Sequence, residues 1–379
     1  MRKIAKKNLV IYPILIGLYF VLAHNLALAP DHQLINHDSQ PLATTSSTPI
    51  KLLHQKKPDY VRGIYLTASS AGNDNYRKKL LTNIKKGYIN SVVIDIKDYS
   101  GYILYDSQVA EVNDIKSKKI RMDANQVIDD FHQAGIYVIA RQTIFQDPVL
   151  ATARPELALH TTDGDIWYDN KKLAWLDPNN QAVWSYNLAI AKEATLLGFD
   201  EINFDYMRYP SDGPMSTLNY NLTSEQQKYD VMKNFFAYLS DNLSNTTNIS
   251  IDMFGLVMDN ADGHYDLNIG QRLIDALDYF DEISPMMYAS HYPKTYLGYA
   301  NAAEHPGEVV AYGLNIASST TAKHRAKIRP WLQAFSIGAV YDQEKIKAQI
   351  KAVEMATSTT SGWLFWNARN VYADYMFVE

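Results

Sequence analysis

Two aspartates in the middle of the chain combine an acidic side chain with a strand position that could serve acid–base chemistry. Around Asp205, period-two alternation puts Asn203 and Asp205 on one face of a strand. The same alternation separates Asp252 from its neighbours Ile251 and Met253. A carboxyl group on a buried strand is costly unless it is paired or functional. Two such groups flanking one bond are the arrangement that glycosidases use, with one as nucleophile or base and the other as acid.

Each aspartate also has a plainer interpretation. Asp205 could be a structural carboxylate held by Arg141 or Arg208, and Asp252 could be a buried, hydrogen-bonded side chain. An apolar setting or a nearby like charge would raise the pKa of the acid member, so that it keeps its proton near neutral pH. We predict that Asp205 is the nucleophile or base and that Asp252 is the favoured acid.

Other polar and aromatic side chains follow or end predicted strands and are candidates for substrate contact. They are Asp95, Lys97, Asp98, Arg141, Asn203, Arg208, Trp175, Tyr288, His291, Gln333 and Trp366. Two of them have simple alternatives, since Lys97 could pair with its acidic neighbours and a lone histidine such as His291 is often structural. Trp175 lies in a long aromatic loop, which either offers its rings to a sugar or packs against itself.

Composition excludes several kinds of site. The chain of 379 residues contains no cysteine, which rules out disulfides and thiol nucleophiles. No His, Asp or Glu cluster has the spacing of metal ligands, so we predict neither a metal nor another cofactor. A formal net charge of -5 is unlike the basic surface of nucleic-acid-binding proteins. Chemistry therefore rests on Asp, Glu, His, Tyr, Lys or Ser.

Eight short apolar runs must position these side chains. The predicted strands are Val61–Thr67, Ser91–Lys97, Ile136–Ile144, Glu201–Tyr206, Ile249–Gly255, Ile283–Ala289, Pro330–Phe335 and Gly362–Asn367. Predicted helices fill five of the gaps, at Tyr76–Lys86, Asp123–Ala134, Ala182–Leu197, Glu344–Met355 and from a capping box at Thr223 and Gln226 to about Leu239. Near-continuous apolar strands are typical of parallel sheets covered by helices.

Eight strands that alternate with helical segments predict an α/β fold, a single-domain (β/α)8 TIM barrel. In such a barrel the active site lies at the C-terminal ends of the strands, where the candidate residues occur. A doubly wound open sheet is the alternative. It would need a glycine-rich phosphate turn after the first strand, and the chain there reads Ala68-Ser69-Ser70-Ala71-Gly72.

The N-terminus has the pattern of an export signal. Four basic residues precede a long apolar run, as Arg2, Lys3, Lys6 and Lys7 lie ahead of Leu9–Ala29. The run has about the 20 residues that a membrane span needs. Residues 1–29 are therefore predicted to be a cleaved signal peptide or a membrane anchor, and the rest to be exported to the periplasm, cell envelope or exterior. Residues 30–58 are predicted to be a flexible linker before the barrel at 59–379.

Five groups of motifs are spread from about Asp59 to the C-terminus. They are Arg62-Gly63-Ile64-Tyr65, Asp95-Ile96-Lys97-Asp98, Gly198-Phe199-Asp200-Glu201 with Asp205-Tyr206-Met207-Arg208-Tyr209-Pro210, Ser284-Pro285-Met286-Met287-Tyr288 with Ser290-His291-Tyr292, and Arg329-Pro330-Trp331-Leu332-Gln333-Ala334-Phe335. Together they resemble a bacterial family described as the putative glycosyl hydrolase domain. The resemblance implies a TIM barrel related to known glycosidases.

Two broader groups of barrels bear on the roles. In α-amylase-like barrels the nucleophile is an aspartate at the end of strand four, which corresponds here to Asp205. Chitinase-like barrels end that strand with spaced aspartates and a catalytic glutamate. Here Asp200, Asn203 and Asp205 match the spacing, but Met207 stands at the glutamate position, which argues against substrate-assisted catalysis. No glutamate closely follows Asp252, so its role as acid rests on the strand pattern alone.

These observations predict a glycoside hydrolase that cleaves O-glycosidic bonds of an envelope or extracellular polysaccharide or oligosaccharide. Two alternatives remain open: a non-catalytic carbohydrate-binding barrel, and another hydrolase or carbohydrate-modifying enzyme on the same fold. Membrane attachment would come only from the N-terminal segment, and the sequence leaves the oligomeric state open.

Overall fold

Short runs rich in Val, Ile and aromatic residues form a closed ring of parallel strands in a computed structural model, which describes residues 54–378. The strands are β1 (Val61–Leu66), β2 (Ser91–Lys97), β3 (Tyr137–Thr143), β4 (Glu201–Asp205), β5 (Asn248–Phe254), β6 (Glu282–Met286), β7 (Lys327–Ile328 and Trp331–Gln333) and β8 (Gly362–Trp366). Each pairs in parallel with the next, and β8 pairs with β1 to close the ring. The predicted TIM barrel is confirmed.

The sixth and seventh strands differ from their predicted bounds. Strand β6 ends at Met286, and the chain then forms a 3-10 turn at Ala289–His291. Strand β7 consists of two short segments on either side of Arg329 and Pro330. Proline has no backbone N–H to give to the ladder, which accounts for the interruption. The aligned ends of the strands still meet at one rim of the barrel.

Helices cover the outside of the ring. They are α1 (Ala68–Gly72), α2 (Asp74–Ile84), α3 (Ala110–Asp114), α4 (Ala124–Gln133), α5 (Pro148–Ala153), α6 (Gln181–Leu197), α7 (Lys228–Leu243), α8 (Leu273–Ala276), α9 (Pro306–Thr321) and α10 (Gln343–Glu354). The predicted capping box was wrong, since helix α7 is capped by Gln227 and Asp230. Helix α9 was not predicted, because an internal Gly313 and a Ser/Thr-rich end weaken its helical pattern.

The N-terminal end of the barrel is closed by a buried ion pair and by the start of the described chain. Arg329 and Glu201 pair there with both side chains fully buried. Lys57 Nζ lies 2.6 Å from Glu282 Oε1, and the Gln55 N–H donates to Asp200 Oδ1 over 2.6 Å. Residues 54–58, predicted to be the end of a flexible linker, therefore contact the barrel directly.

The predicted signal or anchor at 1–29 and most of the predicted linker lie outside the described residues. Within residues 54–378, none of the helices is both long enough and apolar enough to cross a bilayer.

Two connections at the C-terminal rim join each other. The connection from β3 to α6 carries a short strand, His160–Thr161, which pairs in antiparallel fashion with Leu218–Asn219 of the connection from β4 to α7. A cavity of about 310 Å³ lies between these connections, with His160, Asp177 and Asn221 in its wall. Neither of the two predicted catalytic residues lines this cavity. Asp205 and Asp252 lie instead on strands β4 and β5 of the barrel.

Candidate active site

One arginine stands at the centre of the rim and contacts three carboxyl groups. Arg141 Nη1 lies 2.6 Å from Asp95 Oδ1, and Arg141 Nε lies 3.4 Å from Asp252 Oδ2. Arg141 Nη2 pairs with Asp205 Oδ2. The four residues come from β3, β2, β5 and β4, and the parallel register sets Arg141 beside Asp95. The structure therefore brings together both predicted catalytic residues and two predicted binding residues.

Asp252 is the most deeply buried of the three carboxyl groups, with 1% of its surface exposed. Its Oδ1 atom accepts hydrogen bonds from the Trp331 indole at 2.7 Å and from the Asn203 amide at 2.9 Å. Burial, reinforced by repulsion from Asp205, raises the pKa of Asp252 to about 7, although Arg141 opposes the shift. The group can therefore hold a proton near neutral pH.

Hydrogen-bond donors reach both side-chain oxygens of Asp205. Its Oδ1 atom accepts the backbone N–H of Tyr206 over 2.5 Å, while Oδ2 faces Arg141. Tyr206 has a φ of 54°, in the left-handed region that residues other than glycine seldom adopt. This unusual turn at the end of β4 directs the N–H to the carboxylate. Both oxygens of Asp205 therefore accept hydrogen bonds, one from the backbone and one from a guanidinium.

Asp95 is a third candidate acid that the strand pattern predicted only as a substrate contact. Its Oδ2 atom accepts from the Tyr65 hydroxyl at 2.5 Å. Burial raises the pKa of Asp95 to about 6, with Arg141 and Tyr65 opposing the shift. Asp98 lies at the rim, half-buried, and its Oδ1 atom accepts from the Ser100 N–H at 2.9 Å.

Lys97 does not belong to the site, and its predicted contact with substrate is corrected. The β2–β3 ladder shifts register between Asp95 and Lys97. Such a bulge reverses the alternation of side chains, so Lys97 points away from the barrel interior. Its Nζ atom lies 2.7 Å from Asp147 Oδ2 and 3.2 Å from Asn187 Oδ1, fully buried under α6.

Two predicted binding residues are buried supports, which corrects their expected contact with substrate. Asn203 is fully buried and holds Asp252 through its amide. Gln333 is also fully buried, and its Oε1 atom accepts from the Ser290 backbone at 3.2 Å and hydroxyl at 3.0 Å. Asn203 and Gln333 therefore hold other residues of the site in place, namely Asp252 and Ser290.

Aromatic rings form one wall of the rim. The Trp366 ring is half-buried and stacks on Tyr65 at 3.9 Å, and the Arg141 guanidinium lies 4.9 Å from the Trp366 ring centre. On the same side, Tyr288 packs edge-on against His291 at 5.2 Å. The imidazole of His291 packs against Tyr288 and Phe335, and this loss of solvation lowers its pKa to about 4, although the residue as a whole is exposed at the rim. A histidine with that pKa is neutral at pH 7 and is a poor proton donor.

Arg208 lies just beyond β4 and is enclosed by rings. Its guanidinium carbon is 4.7 Å from the Phe254 ring centre, 5.0 Å from that of Trp175 and 5.1 Å from that of Tyr206. Trp175 is 1% exposed and offers no free face to a sugar. Trp175 packs against Tyr206 and Arg208, and the Trp167 indole N–H donates to the Pro214 carbonyl at 3.2 Å. Both rings of the aromatic loop therefore pack against the segment that follows β4, and the predicted sugar contact of Trp175 is corrected.

Three contributing residues were not predicted from the sequence: Tyr65, Tyr206 and Trp331. Tyr65 alternates with Gly63 on the inner face of β1, a pattern that could have identified it. From the sequence, Trp331 could not be told apart from a residue of the hydrophobic core. Its role follows from the hydrogen bond that its indole N–H donates to Asp252. Among residues 54–378, no group of His, Asp or Glu side chains is placed to hold a metal ion.

Comparisons with known proteins place this geometry in a wider context. The PgaB (BpsB) glycoside hydrolase domain from Bordetella bronchiseptica superposes with a TM-score of 0.60 and 12% identity, covering 81% of this chain and 94% of that one. An α-galactosidase from Thermus thermophilus gives a TM-score of 0.53 and 9% identity, over 86% of this chain and 64% of that one. These likenesses show a shared fold.

A hypothetical protein from Ruminiclostridium thermocellum is 38% identical over 50% of this chain and 96% of its own, with a TM-score of 0.47. None of the curated protein sequences matches this chain. Residues 63–372 match the family described as the putative glycosyl hydrolase domain, which spans most of the barrel. The chain belongs to that family.

Proposed function

We propose that the protein hydrolyses O-glycosidic bonds of an envelope or extracellular polysaccharide, with Asp205 as nucleophile or base and Asp252 as acid. One observation supports this above all: carboxyl groups from neighbouring strands meet on a single guanidinium at the rim where TIM-barrel enzymes work. Glycosidases need such a pair, one member carrying a proton and the other a charge.

The surroundings divide the two roles. Burial raises the pKa of Asp252 to about 7, so about half of the population carries the proton at pH 7, and its Oδ1 atom accepts hydrogen bonds from two donors. The proton therefore sits on Oδ2, from which it passes to the leaving oxygen as the glycosidic bond breaks. Asp205, which accepts hydrogen bonds from Arg141 and the Tyr206 N–H, attacks the anomeric carbon or takes a proton from water.

The shared guanidinium also bears on the stereochemistry. Nε and Nη2 of Arg141 lie on one edge of its plane and contact Asp252 and Asp205 respectively. Two carboxyl groups on one edge lie close together, which favours the shorter spacing of about 5–5.5 Å that is typical of retaining enzymes. We expect the product to keep its anomeric configuration when hydrolysis is followed by proton NMR.

Asp95 is assigned a positioning role. It contacts Arg141 and Tyr65. Because its pKa is about 6, a smaller fraction of Asp95 than of Asp252 is protonated at neutral pH. Asp95 therefore fixes the plane of the guanidinium that aligns the reacting pair.

The three carboxyl groups at the rim are buried, and this supports a second candidate function. Asp95 and Asp205 are each 4% exposed and Asp252 is 1% exposed, so a sugar reaches them only if a half-buried ring such as Trp366 moves. If that ring stays in place, the carboxylates remain neutralised by Arg141. The protein would then be a non-catalytic carbohydrate-binding barrel, which binds glycans without cleaving them.

A polysaccharide panel distinguishes the two functions. The full chain is incubated with envelope and extracellular glycans, and new reducing ends are counted for the wild type, Asp205→Asn and Asp259→Asn. Asp259 is a matched control because it is a half-buried aspartate bonded to Tyr296 at 2.9 Å, away from Arg141. We expect cleavage by the wild type and the control, with a loss of more than about 10³-fold in Asp205→Asn. Cleavage that is unchanged in Asp205→Asn would reject this site.

A further inference from the structure

Arg208 differs from the other buried arginines in having no carboxylate partner. Among residues 54–378, four arginines are less than 9% exposed, and three of them pair with a carboxylate: Arg77 with Asp130, Arg141 with Asp205, and Arg329 with Glu201. Within the same residues, no carboxylate oxygen lies within 4.0 Å of an Arg208 nitrogen, although 8% of the residue is exposed. A buried charge without a counter-ion is costly, which points to a function for it.

Only one nitrogen of the Arg208 guanidinium, Nη1, donates hydrogen bonds within the described chain. Nη1 donates to the Tyr209 carbonyl at 3.1 Å and to the Ser211 hydroxyl at 3.3 Å. Nε and Nη2 have no hydrogen-bond partner in the described chain, and they are not among its sealed, unsatisfied polar atoms, so both reach solvent. These two N–H groups form the edge of the guanidinium that binds planar oxyanions through two parallel hydrogen bonds.

Three rings keep this edge in a fixed orientation. Trp175, Tyr206 and Phe254 surround the guanidinium at 4.7–5.1 Å, which restrains its plane. Arginine stacked in this way remains charged and retains its fork geometry. Three carboxylates act on Arg208 from a distance: Asp205, Asp212 and Asp169. Asp205 pairs with Arg141, Asp169 accepts hydrogen bonds from Gln146 and Trp175, and Asp212 lies beyond ion-pair distance of Arg208, so the free edge can accept an anion.

We propose that Arg208 binds the carboxylate of a hexuronic acid unit, so that the substrate of this site is an acidic polysaccharide. The inference rests on the proposed function and names its substrate class. Arg208 follows Asp205 by three residues at the end of β4, which places the acidic sugar beside the reacting bond. The formal net charge of -5 would repel polyanions in general, so binding of one requires a local cation such as this one.

The test compares acidic glycans with their own neutral forms. Oligogalacturonate, oligomannuronate and hyaluronan fragments are titrated by calorimetry into the full chain, each beside its carboxyl-reduced counterpart. Dextran sulfate provides a sulfate ester arm. We expect at least one acidic glycan to bind more than about tenfold more tightly than its reduced form, as the loss of a charge-assisted hydrogen bond implies. Equal affinity for both forms, no binding by any acidic glycan, or binding of dextran sulfate alone would overturn the proposal.

Variants connect the binding to Arg208. Arg208→Gln is expected to weaken the acidic glycan by at least about tenfold, and Arg208→Lys by less, because lysine keeps the charge without the fork. Arg325→Gln is the matched control, since its side chain is 67% exposed at the opposite end of the barrel and pairs with Asp281. Thermal melting checks folding, and Arg208→Lys serves as the test if Arg208→Gln does not fold. Unchanged affinity in the folded Arg208 variant would refute the assignment.

Cleavage is scored separately from binding. Arg208-dependent binding of an acidic glycan without new reducing ends would uphold this inference and contradict hydrolysis. Cleavage of a neutral polysaccharide at the same rate in the wild type and Arg208→Gln would uphold hydrolysis and contradict this inference.

Discussion

The two ends of the barrel each bury an arginine among carboxyl groups, but in different proportions. At the N-terminal end, Arg329 faces Glu201 in a one-to-one pair. Burial alone would raise the pKa of Glu201, yet Arg329 outweighs it and holds that pKa below its ordinary value. At the C-terminal end, one guanidinium serves three carboxyl groups, and the pKa of Asp252 rises to about 7.

The difference shows what turns a structural ion pair into a reactive site. In the one-to-one pair of Arg329 and Glu201 both groups are charged, so neither can donate a proton to a substrate at neutral pH. At the C-terminal end, burial raises the pKa of Asp252 and repulsion from Asp205 adds to the shift, while Arg141 is shared among three carboxyl groups. Part of the Asp252 population is then protonated at neutral pH, which is the state that a general acid requires. The same residue types therefore stabilise one end of the barrel and supply chemistry at the other.

The largest expected effect comes from removing the surplus acid. Asp252→Asn keeps the shape of the side chain but cannot donate the proton, so kcat should fall by about 10²–10⁴-fold on polysaccharide. Aryl glycosides whose leaving group needs no proton should lose much less. Initial rates on both substrates measure this, and an equal loss on the two would argue against Asp252 as acid.

At the opposite end, the expected effect is on stability. Glu201→Gln leaves Arg329 buried without its charge partner, which should cost about 3–5 kcal/mol of unfolding free energy. The rate per folded molecule should stay the same. Urea denaturation measures the loss, and the double variant Glu201→Gln with Arg329→Met should recover much of it. A destabilisation below about 1 kcal/mol would show that the pair is dispensable.

Activity should depend on pH with a defined sign. The raised pKa of Asp252 means that the proton is present below about pH 7 and is lost above it. The rate constant kcat/KM should therefore fall about tenfold for each pH unit well above 7. A profile measured from pH 5 to 9 checks this. A rate that stays constant to pH 9 would contradict the assignment.

A smaller effect is expected from the support of Asp95. Tyr65→Phe removes the hydroxyl that donates to Asp95 Oδ2 over 2.5 Å. The lost hydrogen bond to a charged group, about 1.5 kcal/mol, should lower kcat/KM by about tenfold through Arg141. The alkaline limb near pH 7 should remain, because Asp252 is untouched. If Tyr65→Phe shifted the pH at which kcat/KM begins to fall, Asp95 itself would be the acid.

The sequence predicted the barrel and the inward direction of Asp205 and Asp252, because both follow from strand periodicity and the alternation of strands with helices. It could not predict that Asp95 and Asp252 share Arg141, since that depends on which inner faces meet across the closed ring. Lys97 was misplaced because a one-residue bulge reversed the alternation after Asp95.

Burial was the other quantity that the sequence did not supply. Trp175 and Gln333 occur in segments that reach the rim, but packing seals both of them. Residue type could not separate an aromatic ring that faces a sugar from one that faces another ring. The structure made that distinction, and within residues 54–378 it showed that one edge of the Arg208 guanidinium has no hydrogen-bond partner.

Direct titration of Asp252 shows whether this carboxyl group holds a proton at neutral pH. The full chain is labelled with 13C at its aspartate carboxyl groups, and NMR spectra are recorded from pH 4 to 9 for the wild type and Asp252→Asn. We predict one carboxyl resonance that titrates near pH 7 and is missing from the variant. If every aspartate resonance of the wild type completes its titration below pH 5, the rim holds no proton at neutral pH and Asp252 cannot be the acid.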